Sequence, residues 1–470
     1  MHDLVIRDGT VVDGTGGPPC RADVAVDGGV VTEVGAADGR AARTIDAEGL
    51  LVTPGWVDVH THYDGQATWD DVLAPSAWHG VTTLVTGNCG VGFAPARPDR
   101  RDWLIGLMEG VEDIPGTALS EGIEWEWETF PEYLDALERR RWTVDVGTQV
   151  PHGAVRAYVM GDRGARNEPA SAGEIAAMKA LVKEAVAAGA LGFSTSRTLA
   201  HRAVDGEPVP GTFAAEDELF GIGAALAELG TGVYELAPAG SAGEDVDDPK
   251  REMAWMRRLS AAIGRPVTFA MLQVDPYPDL WAELLAESLA AVAEGAQVWP
   301  QVAGRPTGLL SGHHTSYSLL DPVPAYAELK QRGLPPAAFH RALAEPALRH
   351  RVLGWEPPDR AAAETMDKAY RNTYVLGSPP DYEPGADRSL AAVAAATGRT
   401  PLEVAYDVMQ EGGGTGLLYV PILNYSSGSL EPTRQMLLHP RSALGLGDGG
   451  AHVGIICDAS TPTFMLTHWT

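Results

Sequence analysis

The chain has 470 residues, 45% hydrophobic and 21% charged, and a net charge of −28 from 35 Lys and Arg against 63 Asp and Glu. That balance describes a globular chain too long for one ordinary core, with room for a large domain and a small accessory one. It also excludes nucleic acid and anionic membranes as partners, because both are bound through clustered cations.

No apolar run reaches bilayer-spanning length. The opening MHDLVIRDG lacks the basic and apolar regions of a signal peptide, so a cytoplasmic location is expected. Three cysteines, Cys20, Cys89 and Cys457, argue against a disulfide framework and for a reducing compartment.

Taken in chain order, residues 4–52 alternate apolar and polar positions around Asp-Gly and Gly-Gly turns, the hairpin signal. They predict a small β-sandwich over residues 1–54. Eight apolar strand-like runs then recur: GWVDVHTH (55–62), VTTLVTGN (81–88), VDVGTQVP (144–151), ALGFSTSR (190–197), TGVYELA (231–237), PVTFAMLQ (266–273), AQVWPQVAG (296–304) and ALGLGDGG (443–450). Most are separated by helix-like segments. In SAGEIAAMKALVKEAVAAGA (171–190), Ser171 and Glu174 have capping-box spacing and a Gly closes the run. Alternating strands and helices imply an α/β fold with a parallel sheet, and eight units predict a (β/α)8 barrel over 55–470. Two excursions interrupt the count: 98–142, carrying EGIEWEWETF, and a long insertion at 305–442. Loops of this kind cover or shape a site.

The strongest chemical signal is His60-Thr61-His62 at the end of the first barrel strand. Residues i and i+2 of a strand point the same way, so both imidazoles face one spot and suit Zn²⁺ or a similar ion. The competing reading is a hydrogen-bonded pair of core histidines.

The run LVTPGWVDVHTHYD (51–64) resembles the amidohydrolase superfamily signature. TLVTGNCGVGFAP (84–95), VPHGAVR (150–156), GALGFSTSRT (189–198) and LGLGDGGAH (444–452) resemble its N-acyl-D-amino-acid deacylase (D-aminoacylase) branch. The resemblance covers nearly the whole chain. It implies metal-dependent hydrolysis of a linear amide C–N bond, N-acyl-D-amino acid to D-amino acid plus carboxylate. It further implies His60, His62 and the Cys89 thiolate as metal ligands, and Asp448 as metal contact and general base. Alternatives stay open: Cys89 as a buried thiol and Asp448 as a turn residue. The branch takes a histidine from strand five and another from strand six, and neither is present here. The nearest replacement ligands are Glu235 and Gln273, so one metal ion rather than two is expected, with zinc the preferred metal.

Arg305, after strand seven, and Arg197, after strand four, are candidates to grip a substrate carboxylate. His152, at the end of strand three, is a candidate to hydrogen-bond substrate or a ligand. His201, His313, His314 and His452 lie in loops beyond strands and read as solvated or structural. Ser426, in NYSSGS (424–429), is a candidate acyl contact. Two other functions stand beside the first. One is hydrolysis of cyclic amides such as hydantoins, disfavoured because such enzymes tend to carry a carboxylated lysine and strands one to four contain no Lys. The other is a catalytically silent barrel that binds a small ligand. Members of the branch continue after strand eight into a last helix and strands that return to the sandwich, and little of that is present before Thr470. Either the partner strands are supplied otherwise or the chain is a truncated product; in the second case exposed strand edges over 4–52, and association into a homo-oligomer there, are expected.

Overall fold

The computed structural model describes residues 1–245, 247–456 and 458–470; Cys457 lies outside them. Cys20 and Cys89 are free thiols. The chain divides into two compact units, Met1–Val57 and Asp58–Thr470.

The first unit is built from β1 (His2–Val11), β2 (Cys20–Asp27), β3 (Val30–Gly35), β4 (Ala41–Asp46) and β5 (Leu51–Val52). The Gly28-Gly29 turn between β2 and β3 needs positive φ at both residues (58° and 78°), which glycine adopts without strain, and Asp27 pairs with Val30 across it. The predicted sandwich is corrected here. All five strands lie in one mixed sheet, because β4 and β5 both return parallel to β1 rather than building a facing layer. Its buried core is correspondingly small, Val5, Ala25 and Ala37, and Val30, Val31, Val34 and Leu51 are exposed.

The second unit is mixed α/β. After β6 (Trp56–Asp58) come β7 (Val81–Thr86), β8 (Asp145–Thr148), β9 (Val150–Pro151), β10 (Gly192–Ser196), β11 (Val233–Ala237), β12 (Val267–Ala270) and β13 (Val298–Val302). Then follow β14 (Thr307–Ser311), β15 (Tyr374–Val375), β16 (Leu418–Leu423) and β17 (Ala443–Leu444). Strands β9 to β13 and β17 form one sheet in the order β17-β13-β12-β11-β10-β9. Every pairing in it is parallel, with Phe193 opposite Val150, Tyr234 opposite Phe193 and Val298 opposite Val267. Helices return the chain between strands, which is what parallel pairing requires. Helix Ala172–Ala188 has the expected ends: Ser171 and Glu174 form a capping box and Gly189 follows the last turn. β10 is buried at every residue, as a strand covered on both faces must be.

Both excursions are structured. Residues 98–142 hold helices Arg101–Glu112, Gly116–Gly122 and Phe130–Glu138, and Trp127 Nε1 donates to the Phe93 carbonyl (2.7 Å). The insertion folds β14, β16 and β15 into an antiparallel sheet. Its helices pack around a separate apolar cluster that includes Leu320, Leu343, Val352, Leu390 and Met409. Among the described residues no helix is long and apolar enough to cross a membrane.

Candidate metal centre

Three strand ends bring the site together. The backbone around His60 and His62 is held from both sides: Thr61 N donates to Val85 O (3.0 Å), His62 N to Gly449 O (2.8 Å), and Asp448 N to His60 O (3.1 Å). The end of β7 therefore lies beside the histidines on one flank, and the segment beyond β17 on the other. Cys89 and Asp448 have φ of 53° and 42°, the left-handed region that non-glycine residues adopt at some cost. Such conformations are concentrated where geometry serves a site rather than stability.

The ligand atoms of His60, His62 and Cys89 lie within 4.8 Å of one another, and all three residues are buried. His60 Nε2 is 3.2 Å from Cys89 Sγ. Asp448 Oδ1 sits 3.6 Å from His60 Nε2 and 3.7 Å from His62 Nε2. Both imidazoles thus turn Nε2 toward the thiol and the carboxylate. Behind them, His60 Nδ1 donates to Gln301 Oε1 (2.6 Å), and His62 Nδ1 faces Glu112 Oε1 at 3.4 Å. Glu235 accepts the Cys89 N–H (3.1 Å), and its other oxygen lies 3.7 Å from His60 Nδ1.

The electrostatics are those of an anionic pocket. Burial pushes the Cys89 thiol well above its ordinary value, and the charges of Glu235, Glu112, Asp448 and Asp64 push the same way. Burial likewise raises Glu112 well above the usual carboxylate range and Glu235 to about 7. Burial lowers His62 to about 4, so its imidazole is neutral. Asp448 goes the other way: burial pushes it up, but His62, His60 and His452 outweigh that and hold it well below the ordinary range. His62 Nδ1, Glu112 Oε1 and Glu235 Oε1 are buried without a hydrogen-bond partner among the described residues. The neutral His62 imidazole, a second imidazole, a thiol and crowded buried carboxyls fit a dication, whose charge reverses the sign of these shifts.

The cluster opens into a cavity of about 270 Å³. Its lining includes the apolar side chains of Ala237, Ala270, Leu272, Ile422, Leu423 and Leu446; Thr198, Ser241 and Thr307 bring hydroxyls, and among the described residues none that lines it is Lys or Arg.

His60, His62, Cys89 and Asp448 are therefore brought together, with Glu235 behind them. Gln273 is not: its amide donates to Pro278 O (3.0 Å) and accepts from Ser426 N (3.2 Å), which also keeps Ser426 out of the lining. The substrate-binding candidates are held elsewhere. Arg197 Nε contacts both Glu252 oxygens (3.0 and 2.8 Å). Arg305 is buried beside Asp458 (3.0 Å) with its guanidinium 3.8 Å over the Tyr382 ring. His152 bridges Thr195 Oγ1 (2.8 Å) and Glu218 (2.9 Å). Of the loop histidines, His313 bonds Tyr326 (3.1 Å) and His314 is exposed, whereas His201 and His452 line the cavity, which corrects their reading as solvated or structural. Glu112 and Gln301 carry no local signal of their position; only the proximity of Glu112 to the conspicuous EGIEWEWETF stretch set its segment apart.

Gly90 permits this arrangement. Its φ is 69°, and a Cβ there would stand 2.9 Å from the Ser196 backbone nitrogen. Gly90→Ala is expected to cost about 2–4 kcal/mol, from strain and overpacking together. Denaturant unfolding of the metal-free protein measures it, and a cost under about 0.5 kcal/mol shows that the strand ends have room to move apart.

With this geometry in hand, likeness to known proteins can be placed. A family model described as "Amidohydrolase family" matches residues 43–470. D-aminoacylase of Alcaligenes xylosoxydans xylosoxydans is 39% identical over 196 residues, 41% of this chain and 37% of that protein. N-acyl-D-aspartate deacylase of the same organism is 37% identical over 194 residues, 41% and 36% of the two chains. The matched part thus spans little more than a third of these curated relatives. The structure of N-acyl-D-glutamate deacylase from Bordetella bronchiseptica, complexed with zinc and a phosphonate inhibitor, superposes with a TM-score of 0.58 at 21% identity. That superposition covers 94% of this chain and 75% of the other, and it shows a shared fold.

Proposed function

The chain belongs to the amidohydrolase family, and on that premise we propose that it is a metal-dependent hydrolase of linear amide C–N bonds acting on N-acyl-D-amino acids. The single observation that carries the reading is the convergence of His60, His62 and Cys89 ligand atoms within 4.8 Å, with Asp448 beside them.

The scaffold is read as a closed (β/α)8 barrel over residues 55–470. In support, β7 pairs with β8, Gln149 N reaches Thr86 O, β9 to β13 and β17 continue in parallel, and a parallel bridge joins Gly449 to Thr61. The site then sits at the C-terminal strand ends, where barrel enzymes carry their chemistry.

His60, His62, Cys89 and Asp448 would hold one zinc ion, for which mixed imidazole and thiolate donors are well suited. Such an ion supplies Lewis acidity toward the amide carbonyl and toward water. The protein's own part follows from its residues. Asp448 is ionised and stands where it can take the proton of the attacking water. Water adds to the acyl carbon, the C–N bond breaks, and Asp448 returns that proton to the leaving nitrogen, giving carboxylate and amine. His201 lines the cavity as a neutral imidazole, burial having lowered it to about 3, with Nδ1 on Ser196 Oγ (3.0 Å). The substrate carboxylate is then held by a hydroxyl such as that of Ser241 rather than by a guanidinium, the Thr198 hydroxyl being already spent on Glu244.

The apolar lining from Ala237, Leu272, Ile422 and Leu423 takes the acyl chain. Each buried methylene contributes about 0.8 kcal/mol, so two added methylenes raise kcat/KM by about tenfold. Acetyl, butanoyl and hexanoyl D-amino acids assayed in series test the substrate class. Removal of metal by a chelator should abolish turnover and zinc should restore it. A well-folded chain that binds no metal and cleaves none of the series would leave the silent-barrel reading standing instead.

A further inference from the structure

We infer that Glu112 is a positioning residue of this centre: its carboxylate fixes the His62 tautomer and makes the helix of the 98–142 excursion part of the metal site. The inference rests on the metal-centre reading above and concerns a residue outside the ligand set.

Two buried polar atoms without hydrogen-bond partners face each other, His62 Nδ1 and Glu112 Oε1, 3.4 Å apart. Both residues are 2% exposed, so water does not serve either atom. A carboxylate taken out of water unpaired is costly, and among the crowded acids of this pocket more so. Its position has a use on the imidazole side. His62 Nε2 can offer a lone pair toward Cys89 and Asp448 only if Nδ1 carries the proton, and an Nδ1–H needs an acceptor. For His60 that acceptor is the neutral Gln301 amide at 2.6 Å. For His62 it is Glu112. The two ligands are thus backed differently, one by an amide and one by a carboxylate, and the carboxylate-backed imidazole is the stronger donor.

The local fold aims this side chain. Helix Arg101–Glu112 ends there, with Asp113 left-handed at φ 50°. The Glu112 carbonyl accepts the His452 N–H, Glu112 Oε2 lies 3.6 Å from His452 Nε2, and Asp113 accepts the Gly454 N–H (3.2 Å). One helix end thereby grips His62 by its side chain and the segment after Asp448 by its backbone.

The experiment compares the full-length parent with Glu112→Gln and with Glu109→Gln, an exposed acid one turn earlier on the same helix. Zinc affinity is measured by competition with a chromophoric chelator, and the melting temperature is measured metal-free. Glu112→Gln is expected to weaken zinc by about 10–100-fold without lowering the metal-free melting temperature, since burial keeps the Glu112 carboxyl protonated there and the amide keeps its shape. Glu109→Gln is expected to change neither. Zinc affinity within twofold of the parent in Glu112→Gln overturns the inference. So does a metal-free melting temperature that drops with it, which assigns Glu112 to folding alone, and so does an equal loss in Glu109→Gln, which assigns the effect to overall charge. A parent that binds no zinc fails the metal-centre reading itself, a result distinct from the other three.

Discussion

Replacing Asp448 by Asn is expected to lower kcat by about 10²–10⁴-fold while KM and the fold change little. Asn matches Asp in size and tolerates the left-handed backbone that φ 42° requires, so the bond from its N–H to His60 O is retained. What is lost is basicity. The Asp448 carboxylate is held well below its ordinary range despite burial, by His62, His60 and His452, and so stays ionised across neutral pH. An amide in its place cannot take the proton of the attacking water or carry it to the leaving nitrogen. Steady-state kinetics with an N-acyl-D-amino acid measures the loss, and metal analysis of the same sample checks that zinc is retained. Near-normal kcat in the variant would reduce Asp448 to a residue of the Asp-Gly-Gly turn.

The contrast between this residue and the arginines shows what a single sequence can carry. His60 and His62 were legible at the end of an apolar strand, whereas Cys89 and Asp448 were singled out only by the motifs that resemble the deacylase branch, TLVTGNCGVGFAP and LGLGDGGAH. The i, i+2 spacing of the histidines alone fixes their common direction. Arg305 and Arg197 follow strands just as closely, but their direction is set by acids far away in the chain, Asp458 and Glu252. The same holds for His152, drawn to Glu218. No local pattern announces a buried partner 50 or 150 residues distant. Glu112 escaped notice for the converse reason: an acid at the end of an amphipathic helix reads as a solvated surface charge, and only the return of that helix over the strand ends buries it. The N-terminal strands were readable from their alternation, whereas the number of layers was not, since alternation fixes which side chains share a face and leaves open what covers it.

If Cys89 is a zinc ligand as proposed, zinc affinity is expected to rise by at least about tenfold per pH unit, at least about a hundredfold from pH 6 to pH 8. The sign follows from the thiol. Burial first, and then the charges of Glu235, Glu112, Asp448 and Asp64, push Cys89 well above its ordinary value, so the metal-free protein keeps this proton throughout the window. If zinc binds the thiolate as proposed, each ion bound to Cys89 releases one proton, and the logarithm of the affinity climbs at least one unit per pH unit. His62 adds nothing to the slope, because burial has lowered it to about 4 and it is already neutral at pH 6. Glu235, raised to about 7, and Glu112, raised well above its ordinary range, add to the slope wherever the nearby dication draws them into their charged forms, so one unit per pH unit is the lower bound. Cys89→Ser removes the main term: its affinity should be lower at pH 8 and its slope markedly flatter. Chelator competition at pH 6, 7 and 8 on both proteins gives the two lines. Parallel lines would return Cys89 to the role of a buried thiol beside a centre held by His60, His62 and Asp448. Two zinc ions in the parent falling to one in Cys89→Ser would show that the thiolate bridges a pair, with Glu235 supplying what the missing strand-five and strand-six histidines do not.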